Sequence, residues 1–392
     1  MTGPTMLGTA SEPLALYVHW PFCLYKCPYC DFNSHVRASV SEIDFVALLC
    51  RELEYESERL GPRPLVSIFF GGGTPSLMSA DAVEIVINAA TAKFPPVRGI
   101  EITLEANPTS VEAKKFAAFR EAGVNRVSLG VQSLRPEALE FLGRQHSVRQ
   151  AREAIDLAKR YFPQVSFDMI YARPEQSVED WRCELRSALS FGTNHLSLYQ
   201  LTIEPRTAFA ARYMRREFRL PSEDMAVALY AVAEEETARV GFTAYEVSNY
   251  AKVNAFCQHN LVYWRYQDYL GIGPGAHSRL SFSDSLHAVQ RVRTPEQWAA
   301  TVRTAGHGIC EESLLTPQDL AREMLLMGLR LTEGVSDHRF KKRTGLSFED
   351  ALDLEILHAS IAAGYVERSP DLLRATPEGR LRLNALLGAL LR

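Results

Sequence analysis

The chain has 392 residues and a formal net charge of −4; 46% of its residues are hydrophobic and 23% are charged. These values are typical of a soluble globular protein, and the length predicts one large domain with a smaller one. The weak negative charge excludes nucleic-acid binding through overall charge, so we expect no nucleic-acid partner. No segment has the pattern of a signal peptide or a membrane span. We therefore expect a cytoplasmic protein, with peripheral contact to a membrane surface left open.

The first half of the chain alternates short β-rich runs with amphipathic helical stretches. Helices are predicted to begin near Ser41, Ser79, Ser110 and Ser147, with Ser41 as a plausible helix cap. The predicted strands cover residues 14–19, 66–70, 100–105, 126–130, 165–170 and 195–200. Six strand–helix units in succession predict a parallel sheet, either open or part of a barrel, with its working face at the carboxyl ends of the strands.

The strand–helix alternation ends near residue 202. An arginine-rich stretch (205–219), a helical run (225–240) and a segment rich in aromatic residues and glycine (257–278) follow. From about residue 316 the pattern predicts helices and then a small hairpin, which is typical of a winged-helix-like module. We predict a core with an extension over residues 1–285 and a C-terminal domain over residues 286–392.

The cysteines are the first chemical signal. An odd number, seven, with three close together at Cys23, Cys27 and Cys30, is a poor framework for disulfides and favours a metal centre in a reducing compartment. Thiolates are the preferred ligands of iron–sulfur clusters and of zinc. Three thiolates would leave one iron of a [4Fe–4S] cluster open, because position 32, where a fourth cysteine could stand, is Phe. The alternative is a zinc site completed by His19 or His35.

The remaining cysteines carry less information. Cys50, Cys183 and Cys310 lie in helical patterns and are expected to be buried as small hydrophobic residues. Cys257 lies in the aromatic-rich segment, two residues before a histidine.

Polar and glycine-rich residues follow several of the predicted strands. The second strand ends in Phe70-Gly-Gly-Gly-Thr-Pro-Ser, and such a loop can bring backbone amides close to a ligand. Glu105, Gln132 and Asp168 lie at the ends of later strands. Each could be only a helix cap or a solvated end, but their recurrence on one face predicts a shared pocket.

The cysteine spacing after the first strand resembles the signature of the radical S-adenosylmethionine (SAM) superfamily. The resemblance implies an α/β fold: a partial (β/α)6 TIM-like barrel with a C-terminal helical, winged-helix-like domain. It also implies a [4Fe–4S] cluster on Cys23, Cys27 and Cys30, with SAM on the open iron. In that family one electron from the cluster cleaves SAM to a 5′-deoxyadenosyl radical, so an electron donor is expected as a partner.

The resemblance implies a set of SAM-binding residues in this chain. His277 is expected near the adenine or at a second SAM-like site. The turn after Asp168 departs from the family pattern, because relatives usually have Gly-Leu-Pro-Gly where this chain has Ala172-Arg-Pro-Glu175. The implied set is Tyr17, Tyr29, Gly72, Gly73, Thr74, Glu105, Gln132, Arg144, Asp168 and His277.

Within the superfamily the chain resembles the branch of oxygen-independent coproporphyrinogen III dehydrogenases and HemW-type haem chaperones. The dehydrogenases, which act in haem biosynthesis, carry a further cysteine at the position of Phe32 and a long N-terminal extension. The chaperones carry the Cys-Pro-Tyr-Cys-Asp-Phe-Asn-Ser-His run found at 27–35 and a His-Asn-x-x-Tyr-Trp motif. The second resemblance favours a haem chaperone, and the dehydrogenase stays as the alternative. A zinc-stabilised binding protein without redox chemistry is a second alternative.

The His-Asn-x-x-Tyr-Trp motif implies a haem site. Imidazole is a common axial ligand of haem iron, and aromatic rings offer flat apolar surface to a porphyrin. His259, Asn260, Tyr263 and Trp264 are the implied haem-binding residues, and Cys257 is a minor rival for the iron. The resemblance further implies delivery of haem to apo-proteins of the respiratory chain, with SAM regulating transfer more than being consumed. No catalytic residue is singled out.

Overall fold

A computed structural model describes residues 12–37, 40–283 and 285–391. The strands are β1 (Leu14–Trp20), β2 (Phe22–Cys23), β3 (His35–Val36), β4 (Leu65–Gly72), β5 (Pro96–Ala106), β6 (Arg126–Gln132), β7 (Gln164–Tyr171), β8 (His195–Gln200), β9 (Thr243–Ala244), β10 (Asn249–Ala251), β11 (Asp268–Ile272), β12 (His277–Phe282), β13 (Ser285–Arg291), β14 (Ile309–Leu314), β15 (Val335–Ser336), β16 (Val366–Ser369) and β17 (Leu372–Ala375).

The helices complete the secondary structure. They are α1 (Glu42–Leu60), α2 (Ala80–Lys93), α3 (Ser110–Ala113), α4 (Phe116–Glu121), α5 (Pro136–Phe141), α6 (Val148–Tyr161), α7 (Val178–Leu189), α8 (Ala208–Met214), α9 (Glu223–Arg239), α10 (Gln258–Trp264), α11 (Pro295–Ala305), α12 (Pro317–Gly328), α13 (Asp337–Thr344), α14 (Phe348–Ala351), α15 (Leu354–Ala362), α16 (Pro377–Arg380) and α17 (Leu383–Leu390).

Six parallel strands form the centre of the molecule and confirm the predicted partial barrel. Strands β1, β4, β5, β6, β7 and β8 lie side by side in chain order and are joined by helical crossovers. Their apolar residues are buried because helices cover the sheet, as is usual for parallel sheets. The cysteine loop and the polar strand-end residues therefore reach one edge of the sheet, where the carboxyl ends of the strands meet.

The helices begin close to the predicted positions. The hydroxyls of Ser79 and Ser147 accept the N–H groups of Ala82 and Gln150, so these two serines cap α2 and α6. The third helix is capped by Thr109 rather than Ser110, because the Thr109 hydroxyl accepts the N–H of Glu112. Ser41 precedes α1, but its hydroxyl bonds a carboxylate instead of the backbone.

The sheet continues beyond the six parallel strands, which the sequence pattern did not predict. Strand β11 adds to β1 in parallel, and β12, β13 and β14 follow antiparallel; β10 and β9 extend the other edge. Gly271 is required in β11, because a Cβ there would lie 2.3 Å from the carbonyl oxygen of His277. The predicted domain boundary at 285/286 falls inside β13.

The C-terminal helices pack around a separate hydrophobic core with a small sheet. Strand β17 pairs with both β15 and β16, and the hairpin predicted at the end of the chain is formed by β16 and β17. An ion pair connects this unit to the large sheet: Arg343 of α13 lies 2.6 Å from the buried Asp268 of β11. Among the described residues, no helix is long and apolar enough to cross a membrane.

Candidate functional site

The loop between β2 and β3 carries the three clustered cysteines. Cys23 ends β2, and the N–H of Cys30 donates to the carbonyl of Cys27 at 3.1 Å, so the two later cysteines share one tight turn. The N–H of His35 donates to the carbonyl of Pro21 and closes the loop. All three cysteines line one cavity of about 440 Å³ at the carboxyl ends of the parallel strands.

Each cysteine sulfur has a polar neighbour. The Thr74 hydroxyl donates to Cys23 at 3.4 Å, and the Arg144 guanidinium donates to Cys27 at 3.1 Å. Burial raises the pKa of the Cys23 and Cys30 thiols, and the neighbouring thiols raise them further. Donors of this kind stabilise sulfur carrying negative charge. Three thiols on one loop, facing an open cavity, fit a [4Fe–4S] cluster with one iron left for a small molecule.

The two histidines named as a fourth zinc ligand, His19 and His35, already have hydrogen-bond partners, which weakens the zinc alternative. Both ring nitrogens of His19 are engaged, one with the Tyr17 hydroxyl at 3.1 Å and one with the Asn33 carbonyl at 2.9 Å. His35 lies 3.3 Å from the Asn33 side chain. No group of three or more His, Cys, Asp or Glu residues within residues 12–37, 40–283 and 285–391 is arranged to hold a single metal ion.

The glycine run at the end of β4 packs against β1 and the cysteine loop and also faces the cavity. A Cβ at Gly71 would lie 2.8 Å from the Tyr17 ring, and one at Gly73 would lie 2.7 Å from the Phe22 carbonyl oxygen. Gly72 has φ +110° and meets the His19 ring. The three glycines are therefore needed for the close approach of β4 to β1 and to the cysteine loop.

Two carboxyl groups line the cavity on β5 and β7. Burial, together with the charge of Asp168, raises the pKa of Glu105 to about 8, although the N–H of Gly72 donates to it at 3.3 Å. Burial raises the pKa of Asp168 to about 6, and hydrogen bonds from Ser197 and Ser128 oppose this rise. Such a pair attracts a cationic ligand, which returns both groups to their charged forms.

Arg144 joins the cysteine loop to the sheet. Besides its bond to Cys27, the guanidinium donates to the Asn107 side chain at 2.6 Å and to the Gly130 carbonyl at 2.8 Å. Gln132 follows on the same strand end in a left-handed conformation with φ +69°. The predicted SAM residues that line the cavity are Tyr29, Gly72, Gly73, Thr74, Glu105, Gln132, Arg144 and Asp168. That they contact SAM stays a prediction.

Two predicted SAM residues lie elsewhere. Tyr17 is behind the glycine loop, where its ring stacks on Phe69 with centroids 6.2 Å apart, so it supports the loop instead of lining the cavity. His277 begins β12, opposite Gln290, and its side chain is exposed. His277 therefore does not line this cavity, and its expected position near the adenine or at a second SAM-like site stays a prediction.

Several cavity residues were missed by the sequence pattern. Asn107, Ser128 and Tyr199 line the cavity. Asn107 was within reach of sequence reasoning, because it follows Glu105 in the same strand-end motif. Tyr199 was not, because a tyrosine at a strand end is as common in a hydrophobic core as in a site.

The His-Asn-x-x-Tyr-Trp motif forms α10, at the other end of β4. His259 is only 2% exposed, and its ring nitrogens lie 2.9 Å from the Ser67 hydroxyl and 3.1 Å from the Tyr263 hydroxyl. Burial lowers the pKa of His259 to about 3, so the imidazole is neutral. Asn260, Tyr263 and Trp264 are half-buried on the same helix. That these four residues bind haem stays a prediction. In this structure the His259 side chain is enclosed by the protein.

Glu101 of β5 fixes the start of α10. Its carboxylate accepts the N–H groups of Gln258 and His259 at 3.1 and 3.0 Å and the thiol of Cys257 at 3.4 Å. Cys257 is buried, and burial with the charge of Glu101 raises its pKa to about 12.

The other cysteines differ from expectation. Cys183 and Cys310 are exposed, and Cys50 is half-buried, so the prediction that all three are buried was wrong. Cys310 also lies in β14 instead of a helix.

Comparisons with known proteins point to one family. Residues 17–184 match the model of the radical SAM superfamily, and residues 315–382 match that of the HemN C-terminal domain. The heme chaperone HemW of Escherichia coli is 38% identical over 378 residues, covering 96% of this chain and 97% of that protein. The chain belongs to the HemW family of radical SAM proteins.

Relatives of this chain occur in other organisms as well. The heme chaperone HemW of Haemophilus influenzae is 37% identical over 96% of this chain and 97% of its own length. A mitochondrial protein of Bos taurus, radical S-adenosyl methionine domain-containing protein 1, is 36% identical over 99% of this chain and 90% of its own length. Among solved structures, E. coli coproporphyrinogen III oxidase (HemN) superimposes with a TM-score of 0.81 over 97% of this chain and 91% of that chain. Its identity of 22% supports the shared fold alone.

Proposed function

We propose that this chain holds a [4Fe–4S] cluster on Cys23, Cys27 and Cys30, binds SAM beside it, and carries haem to apo-proteins. The observation that supports the first two statements most directly is the single cavity onto which all three thiols and the strand-end polar residues open. Membership of the HemW family, whose bacterial relatives are named heme chaperones, supports the third.

The cavity residues have separate tasks in this proposal. Glu105 and Asp168 attract the positive charge of SAM, and the Gly72–Gly73 backbone approaches its amino-acid end. Arg144 holds the cysteine loop against the strand ends. The cluster, when bound, supplies single electrons at low potential to the ligand on its open iron. An electron-donor protein is accordingly a proposed partner.

We infer that haem binds at α10 with His259 as iron ligand. The neutral imidazole is the form that binds iron, and burial keeps His259 neutral. Iron binding requires His259 to release Ser67 or Tyr263, and the packing of the imidazole against the Phe69 ring must open to admit haem. Tyr263 and Trp264 would then supply the aromatic surface and Asn260 a polar contact.

Haem titration of the wild type and two variants tests this proposal. We expect wild-type protein to give a haem Soret band, His259→Ala to bind at least about tenfold more weakly, and His358→Ala, an exposed histidine of α15, to bind as wild type. Unchanged affinity in His259→Ala would remove the ligand assignment. Turnover of coproporphyrinogen III with SAM and a reductant would instead favour the dehydrogenase.

We further propose that delivery takes place in the cytoplasm, with apo-proteins of the respiratory chain as recipients at the membrane surface. The test of this proposal measures the rate of haem transfer from the haem-loaded protein to an apo-cytochrome, with and without membrane vesicles. Transfer to a non-respiratory apo-protein at the same rate would contradict the proposed choice of recipient.

A further inference from the structure

The face around the cysteine loop exposes apolar side chains next to the predicted cluster ligands. Leu24 follows Cys23 and is 68% exposed, and Phe32, two residues after Cys30, is 59% exposed. Tyr25 is also more than half exposed. Apolar side chains this close together on a surface are typical of a contact site for another molecule.

Helix α8 is a second surface segment, and it contacts the cysteine loop. The N–H of Phe209 in α8 donates to the carbonyl of Pro28 at 2.9 Å, and the Phe209 and Tyr29 rings lie 6.2 Å apart. Pro28 and Tyr29 are the two residues between Cys27 and Cys30. Met214, at the end of α8, is 83% exposed, and Tyr213 is half-exposed. Helix α8 therefore extends the apolar face of the cysteine loop.

The α8 segment is also basic. Residues 204–219 contain five arginines and two glutamates, in a chain whose net charge is −4. Arg212 and Arg215 pair with Glu217 at 2.9 and 2.7 Å. Arg206, Arg216 and Arg219 are exposed, and no carboxylate in the described parts of the chain forms an ion pair with them. Their charge is therefore free to act on a partner.

A recess links this face to a cluster ligand. A second cavity of about 90 Å³ is lined by Leu24, Tyr25, Cys27 and Arg144, and Cys27 and Arg144 also line the large cavity. A molecule seated on Leu24 and Tyr25 would thus lie beside the Cys27 sulfur without entering the SAM cavity. A partner protein in this position would be close enough to the cysteine loop to exchange electrons with the cluster.

We infer that this face, formed by Leu24, Tyr25, Phe32, Tyr213, Met214 and the three unpaired arginines, docks an acidic, low-potential electron-carrier protein. A negatively charged carrier is repelled by the chain as a whole, and the local arginines orient it towards the cysteine loop. One electron leaves the reduced carrier, and the cluster passes from its 2+ to its 1+ state, with no bond formed or broken. This inference rests on the cluster proposed above.

The test compares a protein reductant with a chemical one. An acidic flavodoxin, fully reduced, serves as the carrier, and dithionite as the small reductant; bleaching of cluster absorbance is followed under anaerobic conditions. The variant is Arg216→Glu/Arg219→Glu. Its matched control is Arg51→Glu/Arg303→Glu, which reverses two exposed arginines on α1 and α11, outside the docking face.

We expect Arg216→Glu/Arg219→Glu to slow reduction by flavodoxin at least about tenfold in 50 mM salt. Near 0.5 M salt the variant and the wild type should be reduced at similar rates, because salt screens the charges. Reduction by dithionite should be unchanged, and the control should resemble wild type. Binding of oxidised flavodoxin, measured by calorimetry, should weaken in parallel. Met214→Ser should weaken binding at both salt concentrations, because its contact is apolar.

Several outcomes would overturn the inference. An unchanged flavodoxin rate, an equal loss with dithionite, or an equal loss in the control would each do so. Loss of binding to anionic vesicles with unchanged reduction would assign the face to a membrane instead. Absence of labile sulfide in the wild type would mark failure of the proposed cluster itself, and haem is left out of the assay so that haem binding plays no part.

Discussion

Glu105 illustrates how the environment of one residue determines the chemistry of the cavity. Its carboxyl is buried, and Asp168 on β7 adds negative charge, so its pKa of about 8 keeps it largely protonated at neutral pH. In the ligand-free protein the folded pKa lies above the unfolded value of roughly 4. The free energy of unfolding therefore falls as the pH rises from that value to about 8, where the charged form is established.

A cationic ligand reverses this preference, and SAM binding should depend on pH. Binding favours the charged carboxylate, so it releases a proton below the pKa of about 8. We expect SAM to bind about tenfold more tightly at pH 8 than at pH 6.5, as measured by calorimetry in buffers of different ionisation enthalpy. Glu105→Gln should bind more weakly and flatten the profile. A variant with the same slope as wild type would exclude Glu105 as the linked group.

At the scale of secondary structure, the hydrophobic period predicted the six parallel strands, because each is an uninterrupted β-rich run followed by a helix. The antiparallel strands β11–β14 were not predicted. Their position depends on long-range contacts such as the pairing of Asp268 in β11 with Leu14 in β1, which no local pattern contains. Local sequence cannot supply contacts of that kind.

The candidate site could also be predicted only in part from the sequence. Cys23, Cys27 and Cys30 lie in one short loop, so their spacing indicated a common centre before any fold was known. Tyr17 and His277 were assigned through family resemblance, and the packing places neither on the cavity. The enclosure of His259 depends on Ser67, 192 residues earlier, and was invisible in the sequence.

The turn after β7 is an element that departs from the family pattern. Ala172 and Glu175 have φ of 55° and 60°, a left-handed conformation, at the two positions where relatives usually have glycine. Between them Arg173 is buried, with its guanidinium bonded to the Glu184 carboxylate and to the Ser133 hydroxyl. These bonds hold the turn in a conformation that costs about 1 kcal/mol at each non-glycine residue.

Glycine at position 175 should therefore stabilise the protein. Glu175 is exposed, so Glu175→Gly relieves backbone strain without loss of packing, and we expect the free energy of unfolding to rise by roughly 0.5–1 kcal/mol. Ala172→Gly should gain less, because it also removes a buried methyl group. Ala359→Gly, in the middle of α15, should lower stability by about 1 kcal/mol. Urea denaturation measures all three, and destabilisation by Glu175→Gly would contradict the strain argument.

At the scale of the whole molecule, the SAM cavity and the haem motif lie at different points along the barrel. Strand β4 contacts His259 through Ser67 and ends at Gly72 beside the cysteine loop. Five residues of extended chain span roughly 16 Å. The two proposed ligands would thus share one strand without sharing one pocket.

The C-terminal boundary can be tested by truncation. Arg291 of β13 pairs with two fully buried carboxylates, Glu52 and Glu56 of α1. We propose a boundary near residue 315 and expect a chain ending at residue 314 to keep its cluster. A chain ending at residue 284 should fail to fold, because an unpaired buried charge costs about 3–5 kcal/mol. Soluble yield and iron content measure the difference, and equal yields would contradict the proposed boundary.

The central claim is that Cys23, Cys27 and Cys30 hold a [4Fe–4S] cluster whose open iron takes SAM. Electron paramagnetic resonance of the anaerobically reconstituted, dithionite-reduced protein tests it most directly. We expect a [4Fe–4S] signal whose g values change when SAM is added and that is absent in Cys27→Ser. A signal that SAM leaves unchanged, or a protein that holds stoichiometric zinc and gives no signal, would contradict the claim.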